Sequence, residues 1–170
     1  RVDLSPDEML AQAKRIGIAL TGQTPKLAPA DKAFYALRDV TGTVKSIPLI
    51  ASSILSKKLA GGAETVVIDL KVGCGGFMKT IEEARELATT MLAVAKKCGL
   101  NLRIAMTDMD SPLGFAVGNA LEVQEAISFL QGNLDNRFSE LCYQLADFTL
   151  QSVNKASTIK EGNLMAKESV

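Results

Sequence analysis

Tyr35, Arg38, Ser53 and Lys57 fall in the stretch YALRDVTGTVKSIPLIASSILSKK, residues 35 to 58. A phenol, a guanidinium, a hydroxyl and an ammonium can together grip a carbonyl-bearing ring or an anion. Ser53 and Lys57 are four apart, so on a helix they stack on one face. The same segment is strongly apolar. At about 100° per residue, Ile47, Ile50, Ala51, Ile54 and Leu55 form one stripe, and the Ser/Lys pair borders it. Two readings stay open: a polar site beside a core helix, or a core helix with a solvated Ser and a snorkelling Lys. Lys58 projects into the stripe itself and must reach solvent by snorkelling. On the first reading, removing Lys57 costs function and little stability.

Two further stretches hold reactive groups. KVGCGGFMKT, residues 71 to 80, is a Gly-rich loop between a strand and a helix, where α/β proteins place ligands. Glycines there let backbone N–H groups approach an anion, or they make a plain tight turn. No Gly-Lys-Ser/Thr closes the loop, so it is not a Walker loop. TDMDSPLGFAVGNALEVQEAI, residues 107 to 127, gathers Asp108, Asp110, Glu122 and Glu125. Oxygen-only donors of this kind suit a hard cation, and helix capping by solvated acids is the alternative. Cys74 is a poor candidate nucleophile, because the chain has no histidine to activate it.

The elements that must position these groups are legible from their starts and periods. SPDE, residues 5 to 8, reads as a capping box with Ser5 as cap, Pro6 in the first position and Glu8 reaching back, and Met9, Ala13 and Ile16 then share a face. TIEE, residues 80 to 83, repeats the box. Behind it Ile81, Ala84, Leu87, Ala88, Met91, Leu92 and Ala95 keep a helical period to a stop at Gly99. NALE, residues 119 to 122, is a third box, with an end at Gly132. A further helix is expected over about 138 to 153, with Leu141, Leu145 and Phe148 inward, and a polar helix in the tail from Lys155. Ser46 reads as the cap of the Ser53/Lys57 helix, with Pro48 in its first turn. ETVVIDLKV (64 to 72) and LNLRIAMTD (100 to 108) read as strands. With the helix between them they make a β-α-β unit with a parallel pair, and so an α/β fold. Residues 21 to 33 read as a loop rich in breakers.

Bulk composition narrows the function classes. The chain has 170 residues, 47% of them apolar, and a mean hydropathy of +0.15, enough for a sizeable core. Nineteen basic and 19 acidic residues cancel, so no field draws it to nucleic acid or an anionic membrane. No apolar run approaches the roughly 18 to 20 residues of a membrane span. Three widely spaced cysteines argue for a reducing, cytoplasmic setting rather than a disulfide scaffold. The start, RVDLSPDEML, has neither an initiator Met nor a signal peptide's apolar centre, and reads as the edge of a piece of something longer.

The strings GQTPKLAPADKAFYALRDVTGTVKSIPLIASSILSKKLA, DLKVGCGGFMKT and DMDSPLGFAVGNALEVQEAI closely resemble the pyrimidine nucleoside phosphorylase and thymidine phosphorylase family, over about residues 1 to 132. The resemblance implies an α/β, two-lobe protein: residues 1–29 lead in, 30–60 belong to a helical α-lobe, and 64–170 form part of an α/β-lobe. It implies phosphate-dependent cleavage of a pyrimidine nucleoside to free base and pentose 1-phosphate by a homodimer. It matches Arg38, Ser53 and Lys57 to the residues that hold the base, with Arg38 and Lys57 in catalytic roles. Tyr35 matches an aromatic residue beside the base, and Phe77 one lining the pocket. Leu113, Ala116 and Glu125 match the ligands of a cation, K+ or Ca2+. Phosphate is implied as co-substrate, with no organic cofactor.

The family's phosphate-binding Lys-x-Ser-x-Gly-Gly stretch and its active-site His have no counterpart in this sequence. The chain therefore reads as an internal piece with most of a base half-site and no phosphate half-site. Other readings are a non-catalytic dimerisation or regulatory module, a related phosphoribosyltransferase, and an AMP-type phosphorylase relative.

Overall fold

The computed structural model describes residues 4–20 and 28–170. The elements run α1 (Pro6–Ile16), α2 (Pro29–Thr41), α3 (Ile47–Ala60), β1 (Thr65–Val72), α4 (Ile81–Lys97), β2 (Asn101–Asp108), α5 (Asn119–Leu130), α6 (Arg137–Ser152) and α7 (Ile159–Glu168). The α/β fold expected from the pattern is present. The strands pair in parallel from Thr65 opposite Asn101 to Val72 opposite Asp108, and α4 is the crossover between them.

Alternation divides the sheet into two chemically different faces. Val66, Leu70 and Leu102 are buried on one face, with Ile68, Val72 and Ile104 packed beside them. Against this face α4 lays Ala84, Leu87, Ala88, Met91 and Ala95, one turn after another. Helix α3 adds Ile50, Ala51 and Leu55, so the same core joins α3, α4 and the sheet. Ile81 and Leu92, placed on the α4 stripe by its period, are exposed at its margins.

The opposite face is largely polar. Lys71 Nζ lies 2.6 Å from Asp69 Oδ2 and donates to Thr107 Oγ1 at 3.0 Å, while the Thr107 hydroxyl donates to Asp69. Helix α6 covers part of this face, with Phe148 5.5 Å from the Arg103 guanidinium. Leu141, Leu145 and Phe148 are half-buried rather than fully inward, because they edge a groove that also reaches Ala105 and Thr107. Burial pushes the nearby Cys142 thiol up, Lys71 opposes that and Asp69 adds to it.

The helix starts show which sequence signals became hydrogen bonds. The Ser5–Glu8 box forms in full. Thr80 accepts from the Glu83 N–H at 3.2 Å, but the Glu83 carboxylate reaches one residue further back, to the Lys79 N–H at 2.8 Å. The expected box at Asn119 does not form. Gly118 is the cap, at φ 126°, a conformation open to glycine, and the chain enters α5 one residue early. Ser46 caps α3 by position, without a side-chain hydrogen bond. Gly99 follows α4 in the left-handed conformation, as expected. Residues 21–27 of the expected loop lie outside the described residues, while 29–33 are helical because Pro29 opens α2.

Met91 is fully buried where α4 meets the core. Met91→Ala should therefore cost about 2–5 kcal/mol of stability. Urea unfolding measures this, and a loss well under that range would show that α4 is not the centre of the core.

Candidate active site

The site is assembled where α2 and α3 meet. Asp31, Tyr35 and Arg38 are spaced by four and three residues, so one face of α2 presents all three. Ser53 and Lys57 do the same on α3. The packing of Ile50, Ala51 and Leu55 into the core fixes the rotation of α3, and the polar pair is carried towards α2 as a consequence.

At the centre, Lys57 Nζ donates to Ser53 Oγ at 3.3 Å and lies 3.1 Å from Asp31 Oδ2. Ser53 is 7% exposed, which removes the solvated-serine reading. The Lys57 side chain is 27% exposed, so its tip still meets the outside. Lys58 is exposed, in keeping with snorkelling. Asp31 Oδ2 is buried and has no aligned hydrogen bond; the ion pair with Lys57 is its compensation. Burial pushes the Asp31 carboxyl up. The Ser53 hydroxyl, the Lys57 ammonium and the Arg38 guanidinium together outweigh that, and the net shift is below the usual aspartate value.

Arg38 is 5% exposed and much of its hydrogen bonding is to backbone. Nε donates to Thr43 O at 3.4 Å, Nη1 to Leu49 O at 3.5 Å, and Nη2 to Val44 O. Thr43 and Val44 belong to the turn between α2 and α3 and Leu49 to the first turn of α3, so Arg38 staples the two helices. Of its five N–H donors, three are used this way and two remain. The guanidinium lies 5.3 Å from the centroid of the half-exposed Tyr35 ring, within cation–π range.

The Gly-rich loop is a tight turn whose N–H groups are largely used internally. Gly73 donates to Met78 O, Gly75 to Met109 O, Gly76 to Gly73 O, and Cys74 to Asp110 Oδ1 at 2.8 Å. A side chain at Gly73 would meet the Asp110 carboxylate at 2.5 Å, so this close approach requires glycine. Those N–H groups are therefore not an open anion cradle. Lys79 Nζ ties the turn from below, donating to the Cys74 and Gly76 carbonyls at 2.8 Å each. Phe77 stands exposed on this turn, and no ring contact among the described residues joins it to the α2–α3 cluster.

The acidic loop after β2 divides its carboxylates among separate tasks. Asp108 pairs with Arg137 at 2.7 Å, and Glu122 accepts from the Gly118 N–H at 3.3 Å. Glu125 Oε1 accepts from Phe115 N–H at 2.9 Å and Asn136 Nδ2 at 3.2 Å, and Oε2 from Ala116 N–H at 3.2 Å. Among the described residues no group of three or more His, Cys, Asp or Glu side chains is placed to hold a metal. Leu113, Ala116 and Glu125 do share one cleft of about 520 Å³ beyond the strand ends, with Cys74 and Asp110. Arg38, Ser53 and Lys57 do not line that cleft. The α2–α3 cluster instead gathers largely buried, mutually charged groups, the environment in which side-chain chemistry is tuned.

The sequence reading missed Asp31. Its signal was present in ADKAFYALR, where an acid precedes Tyr35 and Arg38 by one and two helical turns. The breaker-rich reading of residues 21 to 33 hid it.

A parallel β-α-β unit with the α2–α3 pair packed beside it defines an α/β fold. The chain belongs to the glycosyl transferase family, a/b domain, whose profile matches residues 1–170. It is 48% identical over 167 residues to the pyrimidine-nucleoside phosphorylase of Bacillus subtilis (strain 168), covering 98% of this chain and 39% of that protein. Against the pyrimidine-nucleoside phosphorylase of Geobacillus stearothermophilus it is 45% identical over 169 residues, 99% of this chain and 39% of the relative. The protein of that name from Staphylococcus aureus (strain USA300) is 49% identical over 153 residues, 90% of this chain and 35% of the relative. The chain thus spans well under half the length of these relatives. No helix among the described residues is long and apolar enough to cross a membrane.

The charge on Asp31 gives a pH test. Its folded value lies below the unfolded one, so its stabilising contribution is complete above the ordinary aspartate value of about 3.9 and is lost as pH falls through the depressed value. Asp31→Asn should melt below the parent at neutral pH, and the gap should close in acid below about pH 4. Melting temperatures followed from neutral to acid pH check this; a gap that stays constant throughout would refute the charge assignment.

Proposed function

We propose that the protein carrying this chain cleaves pyrimidine nucleosides with phosphate, and that this chain supplies the base side of the site. The observation that carries the reading is the half-buried Lys57 held by the buried Ser53 and by Asp31, beside Arg38 and Tyr35. Support comes from relatives, 45% and 49% identical, that are named pyrimidine-nucleoside phosphorylase.

The chemistry suits the groups. A phosphate oxygen bonds to C1′ of the pentose as the bond from C1′ to the base breaks. The electron pair leaves with the base, which is then protonated. Negative charge spreads onto the ring oxygens during departure, and fixed donors there stabilise the transition state more than the ground state. Lys57 has three N–H donors; one goes to Ser53 and one faces Asp31, leaving one for a ring oxygen. Ser53 Oγ keeps a second lone pair for a ring N–H. Arg38 has two donors beyond its backbone bonds, and Tyr35 offers a ring face beside the base. Phe77, exposed on its turn, lines the same pocket in this reading.

The reading divides the chain into 1–29 leading in, 30–60 in an α-lobe, and 64–170 in an α/β-lobe, within a cytoplasmic homodimer. Phosphate is the co-substrate. A K+ or Ca2+ ion suits the oxygen atoms of the cleft beyond the strand ends: Glu125 lines it beside Leu113 and Ala116, and Oε2 accepts a single N–H there. Leu113 and Ala116 carbonyls with Glu125 would hold the ion, which would supply positive charge beside the loop.

Lys57→Ala in the full-length protein should lower kcat/KM for uridine phosphorolysis by about ten- to a few-hundred-fold, the scale of a lost charged hydrogen bond. Little change in stability is the expectation from the sequence; the ion pair adds to it that the substitution strands the Asp31 charge, which should lower the melting temperature. Steady-state kinetics on the folded variant decide the matter, and parent-like kinetics would remove Lys57 from the site.

The 170-residue chain alone should release no free base from uridine or thymidine with phosphate. Holding both reactants together supplies roughly 7–11 kcal/mol of barrier lowering, and this chain holds only one. Chromatography of the incubated mixture would detect the base, and turnover near that of the full-length protein would place the phosphate site within these residues.

A further inference from the structure

Asp31 makes no contact that holding a base requires, yet the polar groups of the site converge on it. It lies in the first turn of α2, where an acid suits the helix dipole while remaining exposed. Exposure is not what is found. The side chain is 9% exposed, Oδ2 is buried, and the carboxylate reaches across to Lys57 on α3 at 3.1 Å. A helix-capping role explains none of these three facts.

Lysine is a point charge on a flexible four-carbon stem, unlike the planar fork of arginine. A donor of that kind stabilises a departing base only if something else restricts the ammonium. Ser53 alone gives one hydrogen bond, to an uncharged acceptor at 3.3 Å, and with its tip partly exposed the lysine side chain could swing into water. Asp31 supplies the second fixed point and does so from another helix. Two of the three N–H directions are then set, and the third follows from tetrahedral geometry. Arg38 adds its field to keep Asp31 charged and is itself held by the α2–α3 turn.

We propose that Asp31 is the positioning residue of this site, fixing the Lys57 ammonium over Ser53 so that its remaining N–H meets the ring oxygen of the base. The proposal rests on the base-site reading of Lys57. It predicts that the effect of Asp31 on catalysis passes through Lys57 and vanishes when Lys57 is absent.

The test is a double-mutant cycle in the full-length protein, with uridine and saturating phosphate and a melting curve for each variant. Asp31→Asn should lower kcat/KM by about tenfold or more, chiefly through kcat, because the lost alignment matters most as charge develops. Asp31→Glu keeps the charge and should retain more activity than Asp31→Asn, and it serves if the Asn variant folds poorly. In a Lys57→Ala background, Asp31→Asn should change kcat/KM by less than about twofold. An equal loss in both backgrounds would overturn the proposal, since a purely structural role gives that result. So would parent-like kinetics of Asp31→Asn beside an impaired Lys57→Ala. Parent-like kinetics of Lys57→Ala would instead refute the base-site reading beneath it.

Discussion

Helix α3 has to satisfy two demands with one rotation. Ile50, Ala51 and Leu55 must enter the core shared with α4 and the sheet. Their burial is worth more than any single polar contact nearby, at about 25 cal/mol per Å² of apolar surface removed from water. Once they are placed, Ser53 and Lys57 have no freedom about the helix axis. A site built on a packed helix inherits the precision of the core, and a cavity under α3 would be felt as a tilt at Lys57.

The second demand falls on charge. Arg38, Asp31 and Ser53 are nearly or fully buried where α2 meets α3. Such groups are tolerable only when each answers another. Arg38 takes carbonyls of the intervening turn, Asp31 takes Lys57, and Lys57 takes Ser53. The resulting network resists rearrangement because removing one member leaves another uncompensated. It also leaves spare N–H donors on Arg38 and Lys57.

The loops at the ends of β1 and β2 follow a different logic. Both strands end together, Val72 opposite Asp108, so the Gly-rich turn and the acidic loop leave the sheet side by side. They bond to each other through Asp110 and the Cys74 and Gly75 N–H groups. The turn is therefore braced, with the N–H groups of residues 73 to 76 already taken, and the neighbouring loop closes around Glu125.

Local chemistry was legible in the sequence wherever one short stretch contained the whole cause. The Ser5 cap, the α4 stripe from Ala84 to Ala95 and the alternation from Val66 to Val72 are of this kind, and so is the parallel pairing that a β-α-β pattern imposes. The candidate residues Arg38, Ser53 and Lys57 were also named by type, spacing and family resemblance. What the sequence did not contain was any relation between residues on different helices. That Ser53 is buried, that Arg38 reaches the Leu49 carbonyl of α3, and that Asp31 answers Lys57 follow from how α2 lies against α3. Likewise, Gly118 rather than Asn119 opens α5 because the incoming loop needs a positive φ there. Periodicity sets which side of a helix is apolar; only packing sets what stands opposite its polar edge, because that depends on distances between segments the chain order does not encode.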